Sequence, residues 1–476
     1  MSSVAFGLFG RQGAMAAVTR ADAEALPTKI VDVVVIGGGA GGLCAALSAA
    51  EAGAGRVLLL EKNPRLGGDT LISGGYFNAV IPERQRRVGV IDSVEQFEVQ
   101  MLETGRRRND PDVVHVLASR AGESLLWLEA HGMRFLQEPH EIFGSGWRRC
   151  FKPVMSRGQG YLRALTAAAY SAEVDVRTSS PAEAFVCEDI DEKNGSSGKK
   201  RSVVMIGVIA SLEGKRTFIR ARRGVVLASG GFAANRKMLE SYAPAVAALP
   251  VDTQPGSTGE MTLAAGQIGA ALVNMSAVEC VPGSREGIDY PIRLDYVPGK
   301  MIMVSSDGRR FVDETSARNV IAAAILRYGD APCWAIADSE TVAALDGISQ
   351  KNIYRGLYAG EAFREKTVLA LARRIGVDPT NLATTFREQP ASDRLRQPPF
   401  WAVQMHLRVH VTLGGVRIDS SARVLDTEGR PIERLWAAGA CTGSVHGVSR
   451  IGGNGINTAV VFGRIAGAAA AKTPHA

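Results

Sequence analysis

The residues best suited to binding a ligand lie near the start of the chain, in a glycine turn that is followed by a carboxylate. The turn reads Gly37-x-Gly39-x-x-Gly42, and a second apolar run further on ends in Glu61. Gly37 makes a tight turn, Gly39 lets the backbone approach a pyrophosphate, and Gly42 allows a helix to pack closely on a strand. Glu61 can accept hydrogen bonds from ribose hydroxyls, so the pattern predicts a dinucleotide site.

The elements that position this site are predicted to form a βαβ unit at residues 30–80. A run rich in β-branched residues precedes the glycine turn, and an Ala-rich segment follows it. The N-terminus of that helix presents free N–H groups and a positive dipole end to phosphates. The alternative is an ordinary βαβ unit whose glycine turn binds nothing. Further on we expect helices at 94–131, broken near 109–111, a helix at 160–172, and strands over 173–230 around a polar tip at 191–201.

Composition favours an enzyme with more than one domain. A chain of 476 residues exceeds one ordinary domain. The net charge of +7 favours guidance of an anionic substrate, and no aromatic residues interleave the basic groups as a nucleic-acid platform would require. No apolar stretch reaches the ~18 residues of a membrane span. Six scattered cysteines without a CxxC motif argue against a metal, a cluster or a haem, and they predict a reducing, cytoplasmic location.

The loop after Glu61 indicates which dinucleotide binds. It is a glycine-rich extension, and a flavin needs one because its ring must lie against backbone free of side chains. With the opening turn, several ordered blocks resemble the flavoprotein family of fumarate reductases, succinate dehydrogenase flavoprotein subunits, L-aspartate oxidases and 3-ketosteroid dehydrogenases. The further blocks are GGDTLISGGYFNA (67–79), LASGGFAAN (227–235), TGEMTLAAGQIGAAL (258–272), GRRFVDETSAR (308–318), HVTLGGV (410–416) and LWAAGACTGSVHGVSRIGGNGI (435–456).

The resemblance implies an α/β fold with a discontinuous Rossmann-like FAD-binding domain and an inserted α+β capping domain. The expected limits are a flexible leader at 1–29, the FAD-binding domain at 30–280 and 410–472, and the cap at 281–409. FAD is expected to be bound non-covalently, because succinate dehydrogenase relatives place a histidine in the matching loop and loop 69–78 has none. Ala440 stands where relatives usually place an acid, which puts that contact with the flavin's ribityl chain in doubt. The expected cofactor contacts are Gly37, Gly39, Ala40, Gly42, Glu61, Lys62, Gly68, Asp69, Thr70, Ser73, Gly74, Gly75, Ser229, Gly230, Gly439, Ala440, Gly455 and Ile456.

The same resemblance implies roles for three side chains in the reaction. Arg450 would fork onto a substrate carboxylate, since its planar donors meet two oxygens at once. His410 would hydrogen-bond that carboxylate or a carbonyl. Arg318 would exchange a proton with the substrate or stabilise an enolate electrostatically. For each of them a merely structural role is the alternative.

The chain departs from the fumarate reductase pattern at the other end of the substrate. The histidine, the Thr-Glu pair and the arginine expected there are absent around Cys280 and Arg293. Tyr290, Asp295, Tyr296 and Arg285 stand nearby instead. Tyr296 is either a catalytic group at an α-carbon or a packed aromatic of the cap.

We therefore predict an FAD-dependent oxidoreductase acting on a CH–CH bond beside a carboxylate or carbonyl, with hydride exchanged at flavin N5. Fumarate-like dicarboxylates are the default substrates. The alternative is desaturation of a cyclic keto acid, such as 4-oxocyclohexanecarboxylate, or of a ketosteroid-like ketone. Because no electron-carrying motif is built in, the electron partner is expected to be oxygen, a quinone or another protein. A flavin-binding subunit without its own chemistry is a separate hypothesis.

Overall fold

Helices and strands alternate along most of the chain. The computed structural model describes residues 18–142, 146–192, 200–294, 300–389 and 395–475. Its α-helices, in chain order, are α1 (Arg20–Glu24), α2 (Ala40–Glu51), α3 (Gly68–Ile72), α4 (Pro82–Arg86), α5 (Val94–Thr104), α6 (Pro111–Ala130), α7 (Gln159–Ser171), α8 (Arg236–Tyr242), α9 (Glu260–Gln267), α10 (Arg318–Leu326), α11 (Ser339–Ala344), α12 (Gly347–Ala359), α13 (Val368–Ile375), α14 (Pro379–Glu388) and α15 (Asn454–Lys472).

The strands form one large sheet and several smaller ones. In chain order they are β1 (Thr28–Ile36), β2 (Val57–Leu60), β3 (Phe77–Asn78), β4 (His140–Glu141), β5 (Arg148–Phe151), β6 (Asp175–Arg177), β7 (Ala182–Glu192), β8 (Lys200–Leu212), β9 (Lys215–Leu227), β10 (Leu272–Val273), β11 (Val278–Gly283), β12 (Ile302–Val304), β13 (Trp334–Ala337), β14 (Ala362–Glu365), β15 (Phe400–Gln404), β16 (His406–Thr412), β17 (Gly415–Val416), β18 (Arg423–Leu425) and β19 (Pro431–Ala437).

A parallel core runs through the large sheet, in the order β19-β9-β1-β2-β6. The last six residues of β1 are all buried, as expected for a β-branched strand covered on both faces. The first half of β9 pairs antiparallel with β8, which in turn pairs antiparallel with β7. Since β19 comes from the C-terminal part of the chain, the sheet is discontinuous in sequence, as predicted.

Helices α2 and α15 pack with their backbones in contact. A Cβ at Gly463 would lie 2.5 Å from the carbonyl oxygen of Gly41, and a Cβ at Gly467 would lie 2.0 Å from that of Ala45. Only residues without side chains permit this approach. The contact fixes the start of α15 relative to the glycine turn before α2.

A second sheet, with four antiparallel strands in the order β12-β13-β15-β14, lies within the region predicted as the α+β cap. It has its own buried cluster, which includes Met303, Ala335 and Trp401. The predicted fold class, an α/β domain with an inserted α+β region, is confirmed. Strand β11 pairs antiparallel with β16. The expected limits at 280/281 and 409/410 both fall inside this ribbon, so the domain limits stay a prediction.

Two helical features predicted from the sequence are present in the structure. The break between α5 and α6 is confirmed: Asp110 caps α6 by accepting from the N–H of Asp112, and Pro111 is its first residue. The helix expected at 160–172 is α7. Of the polar tip, residues 193–199 lie outside the described residues. So do residues 1–17 of the expected leader, whose later part contains α1 and the start of β1.

Candidate active site

A cavity of about 1080 Å³ lies at the carboxyl ends of the parallel strands. Its lining includes the residues that follow β1, β2, β9 and β19, and residues of the second region, such as Tyr290, Arg318 and Leu345. Open parallel sheets bind ligands at this edge. The glycine turn, the predicted chemical groups and the cap therefore share one cavity.

Glu61 organises the glycine turn from the end of β2. It is buried, its Oε2 accepts from the N–H of Gly38 at 2.8 Å, and its Oε1 accepts from the N–H and the side-chain amide of Asn63, each at 2.8 Å. Each carboxylate oxygen has further acceptor capacity. Glu61 can thus hold the turn and still accept from a ribose hydroxyl, and its contact with the cofactor stays a prediction.

The loop after Glu61 is tied to the turn and to residues 253–260. Thr70 Oγ1 accepts from the N–H of Ala40 at 3.0 Å, at the first residue of α2. The carboxylate of Asp69 accepts from the hydroxyls of Thr253 and Ser257 and from the N–H of Gln254. Through these contacts Thr70 and Asp69 hold the loop that lines the cavity in place.

Lys62 and Ser73 also make contacts within the protein. Lys62 Nζ lies 3.0 Å from Glu260 Oε2 and donates to the hydroxyl of Thr258. The hydroxyl of Ser73 donates to the carbonyl of Thr70 and accepts from the N–H of Gly75. Both side chains line the cavity with these bonds already made.

The cavity has features that fit a flavin dinucleotide. Gly230 has a φ of +80°, and the nearest atom to a Cβ built there would be 3.8 Å away, so bare backbone faces open space. Ser229 lines the cavity, and its buried Oγ has no hydrogen-bond partner within the described part of the chain. Buried polar groups are usually paired, so this hydroxyl fits a polar group of a bound cofactor. FAD would be held by the turn, the glycine loop and the start of α15.

Arg450 and Arg318, both predicted to take part in the reaction, contact the same carboxylate, that of Glu279. The sequence did not single out Glu279. Glu279 of β11 has a side chain with 0% exposure. Its Oε2 lies 2.9 Å from Arg450 Nη2, 3.3 Å from Arg450 Nε and 3.3 Å from Arg318 Nη1. Burial alone would raise the pKa of Glu279, but the charges of Arg450, Arg318 and His410 outweigh it and lower the pKa to about 2. The cluster is therefore anionic at its centre and cationic towards the cavity.

A β-bulge places His410 beside this cluster. In the β11–β16 ribbon Glu279 is opposite Val411 and Cys280 is opposite Val409, which makes His410 the extra residue. A bulge bends the strand and redirects the side chain of the extra residue. His410 lines the cavity with Arg318 and Arg450, so the structure brings three of the four predicted chemical residues together.

Asp252 lies beside His410 in the lining of the cavity. Its Oδ2 is 2.7 Å from Arg293 Nη2 and 3.4 Å from His410 Nδ1, and the geometry of the second contact is poor for a hydrogen bond. Burial would raise the pKa of Asp252, but contact with His410 and the charges of Arg293 and Arg408 lower it to about 2. An anionic Asp252 can orient the imidazole of His410 towards a substrate.

Most of the predicted site residues line the cavity. Gly42 does not line it. A Cβ there would lie 1.8 Å from the carbonyl oxygen of Gly37, which fits the predicted close packing of the helix on the strand. Tyr296 lies outside the described residues. The predicted residues in the lining are Gly37, Gly39, Ala40, Glu61, Lys62, Gly68, Asp69, Thr70, Ser73, Gly74, Gly75, Ser229, Gly230, Arg318, His410, Gly439, Ala440, Arg450, Gly455 and Ile456.

Sequence reasoning missed Glu279, Asp252 and Asn78. A signal existed for Glu279, because a lone acid in an apolar strand needs a charged partner when buried. Asn78 donates to the carbonyl of Gly452 and to Asn454 Oδ1, both at 2.6 Å, and so supports the loop between Arg450 and α15. Nothing in the sequence around Asp252 indicates its contacts with Arg293 and His410.

The described residues contain neither a membrane-spanning helix nor a group of metal ligands. No helix among them has the length and apolar character needed to cross a bilayer. Within the same residues, no three His, Cys, Asp or Glu side chains come together as metal ligands. The six cysteines form no disulfide with one another.

The sequence matches the FAD binding domain family over residues 32–456, and the chain belongs to that family. It is 32% identical over 467 residues to a probable fumarate reductase, Ifc3, of Shewanella frigidimarina (strain NCIMB 400), a match that covers 94% of this chain and 76% of that protein. The family match confirms the predicted FAD.

Two solved structures share the fold. The open conformation of a flavocytochrome c3 fumarate reductase aligns with a TM-score of 0.74 at 30% identity, covering 94% of this chain and 79% of that chain. The 3-ketosteroid-Δ4-(5α)-dehydrogenase of Rhodococcus jostii RHA1 aligns with a TM-score of 0.77 at 25% identity, covering 96% of this chain and 100% of the other. The protein is an FAD-dependent oxidoreductase of the class that acts on CH–CH bonds, as predicted.

Proposed function

We propose that this protein exchanges a hydride with the carbon β to a carboxylate or carbonyl of a small anionic substrate, with fumarate-like dicarboxylates as the default. When bound, FAD supplies this two-electron chemistry. The supporting observation is that Arg318 and Arg450, which line the predicted FAD cavity, both contact one buried carboxylate. An FAD protein that only relayed electrons would not need such a cluster.

Arg450 and His410 are proposed to bind one carboxylate of the substrate. Glu279 contacts the Nε and Nη2 of Arg450. A guanidinium has five N–H groups in a planar fork, so its Nη1–Nη2 edge can still meet two substrate oxygens. His410 adds a third hydrogen bond from the bulge of β16. These contacts would fix the position of the carbon that exchanges the hydride.

Arg318 is proposed to act on the proton at the α-carbon. It is the first residue of α10, and its guanidinium lies beside Glu279. A guanidinium keeps its proton in water, so donation requires a strongly basic carbanion in a dry site, with the proton promptly replaced. Otherwise Arg318 stabilises the enolate by its charge alone. Either role requires its guanidinium to stay beside the reacting carbon.

A second candidate is desaturation of a cyclic keto acid or a ketosteroid-like ketone. The side chains of Ile288, Tyr290, Leu345 and Ile348 line the cap side of the cavity, and an apolar substrate body would pack against them. The likeness to the ketosteroid dehydrogenase supports the same candidate. Tyr296, the group proposed for proton transfer in this reaction, stays a prediction.

An anaerobic titration of the FAD-loaded protein separates these reactions. Bleaching of the flavin absorbance by succinate supports the dicarboxylate, whereas bleaching only by 4-oxocyclohexanecarboxylate or a 3-ketosteroid supports the second candidate. Arg450→Ala is the matched variant and should lose the bleaching while retaining FAD. If no acid or ketone bleaches the wild-type flavin and reduced enzyme reduces none of the unsaturated products, the proposed function is wrong.

The electron partner and the location also stay proposals. We infer that electrons are exchanged with oxygen, a quinone or another protein, because the described residues hold no group of side chains suited to a metal centre. A cytoplasmic location accords with six cysteines that form no disulfide with one another. Reoxidation rates with each acceptor would identify the partner.

A further inference from the structure

We propose that Glu279 is a positioning residue that holds Arg318 and Arg450 at a set separation and determines the net charge that the substrate meets. The inference rests on the proposed roles of the two arginines. It assigns a function to a side chain that the sequence reasoning missed and that does not line the cavity. Glu279 would therefore act on the substrate only through its two partners.

The two arginines would not stay together without an anion between them. Arg318 begins α10, and the guanidinium of Arg450 lies against Gly455, in the first turn of α15. Both cations thus lie at the positive ends of helix dipoles, where a positive charge is unfavourable, and they also repel each other. The single oxygen Oε2 of Glu279 contacts both of them.

The contacts of Glu279 indicate that charge pairing is its main role. In the described part of the chain, Oε2 accepts from the two arginines, and the buried Oε1 has no hydrogen-bond partner. Glu61 and Asp69, in contrast, accept from backbone N–H groups and shape loops. Glu279 thus contacts two cations that line the cavity and supports no loop through backbone hydrogen bonds, which favours a role in charge pairing.

Five titratable groups face Glu279 from the elements packed around it. They are Arg318 of α10, Arg450 and His446 of the loop before α15, His410 of β16, and Cys280 of its own strand. Replacing Glu279 by glutamine removes the negative charge that these five groups face. An anionic ligand would then meet a more positive site, while Arg318 and Arg450 would lose the carboxylate that both of them contact.

The test compares Glu279→Gln with Glu279→Asp and with the control Glu314→Gln. Glu314 is also buried and paired with an arginine, but that partner, Arg310, does not line the cavity. With FAD-loaded protein, the dissociation constant of fumarate is measured from the change in flavin absorbance, and kcat is measured by steady-state turnover. For Glu279→Gln we expect tighter fumarate binding together with a kcat lower by about 10- to 100-fold, as for a group displaced by about 1 Å.

Glu279→Asp keeps the charge and should recover part of kcat, and Glu314→Gln should leave both fumarate binding and kcat unchanged. The inference is wrong if Glu279→Gln binds fumarate more weakly, or keeps the wild-type kcat. If wild-type protein binds fumarate but turns over no substrate, the proposed function fails, whereas the binding comparison still decides the role of Glu279.

Discussion

The guanidinium of Arg450 lies directly over the backbone of Gly455, where a Cβ would be 2.0 Å from Nη1. Gly455 is the second residue of α15, and the loop before it is held by Asn78. A side chain at this position would occupy the space that the guanidinium uses to reach Glu279. The glycine was predicted as a cofactor contact, and in the structure it also accommodates Arg450.

Gly455→Ala should therefore weaken substrate binding with little loss of stability. The added methyl group meets the end of a flexible side chain, so Arg450 can move away without a backbone shift, and alanine suits a helix. We expect KM for the anionic substrate to rise by about 10-fold or more, as for a lost charge-assisted hydrogen bond. Steady-state kinetics and thermal unfolding measure the two effects. Gly266→Ala, in helix α9, is the control, and an unchanged KM in Gly455→Ala would contradict the arrangement.

Arg450→Ala should abolish most of the affinity for a carboxylate. Loss of one partner of a buried charge pair costs about 2–4 kcal/mol, or roughly 30- to 1000-fold in the dissociation constant. Arg450→Lys should recover only part of it, because an ammonium cannot offer the planar fork. Fumarate binding to FAD-loaded protein measures both variants. Arg236→Ala, at an exposed arginine of α8, serves as the control, and full recovery by lysine would count against bidentate binding.

Stability at low pH should depend on Glu279. Its pKa is lowered from 4.5 to about 2 in the folded protein. A lowered pKa stabilises the fold above the ordinary value, and this contribution is lost as pH falls from about 4.5 to about 2. For Glu279 it amounts to about 3 kcal/mol at neutral pH.

Urea unfolding of wild-type and Glu279→Gln proteins between pH 7 and pH 2 tests this dependence. The difference in unfolding free energy should be largest at neutral pH and should shrink as the wild-type carboxylate takes up its proton. Glu314→Gln again provides the buried control. A difference that stays constant down to pH 2 would show that the charge of Glu279 does not contribute.

Another buried pair, Asp92 with Arg149, should contribute to stability away from the cavity. Both side chains have 0% exposure, Asp92 Oδ1 is 2.7 Å from Arg149 Nη2, and the guanidinium lies over the ring of Phe97. Asp92→Ala leaves a buried cation unpaired and should lower the unfolding free energy by about 3–5 kcal/mol. Glu240→Ala, which breaks an exposed pair with Arg236, should cost less than about 1 kcal/mol. Equal losses in urea unfolding would contradict this account.

Much of the cofactor site could be predicted because its determinants are local. The spacing of Gly37, Gly39 and Gly42 reports how tightly the backbone must turn and how closely α2 must pack on β1. Glu61 follows directly from its place at the end of β2. The ordered motif blocks extended this local information to Arg318, His410 and Arg450, which the structure places in one cavity.

The partners of these residues could not be predicted, because they depend on pairings between distant parts of the chain. Glu279 meets Arg450 across 171 positions of sequence, and His410 enters the cavity through a bulge in a ribbon that joins β11 to β16. The same ribbon crosses both expected domain limits. Its register cannot be read from either strand alone, since a register is a property of the pair.

By itself the sequence determined the dinucleotide turn, the class of fold and the residue types available for chemistry, because glycine spacing and strand or helix patterns act over a few residues. Only the tertiary structure decided which charges face one another. A buried carboxylate is tolerated where the fold brings cations to it, and that condition is met for Glu279 only once two helix N-termini and a bulged strand have packed together.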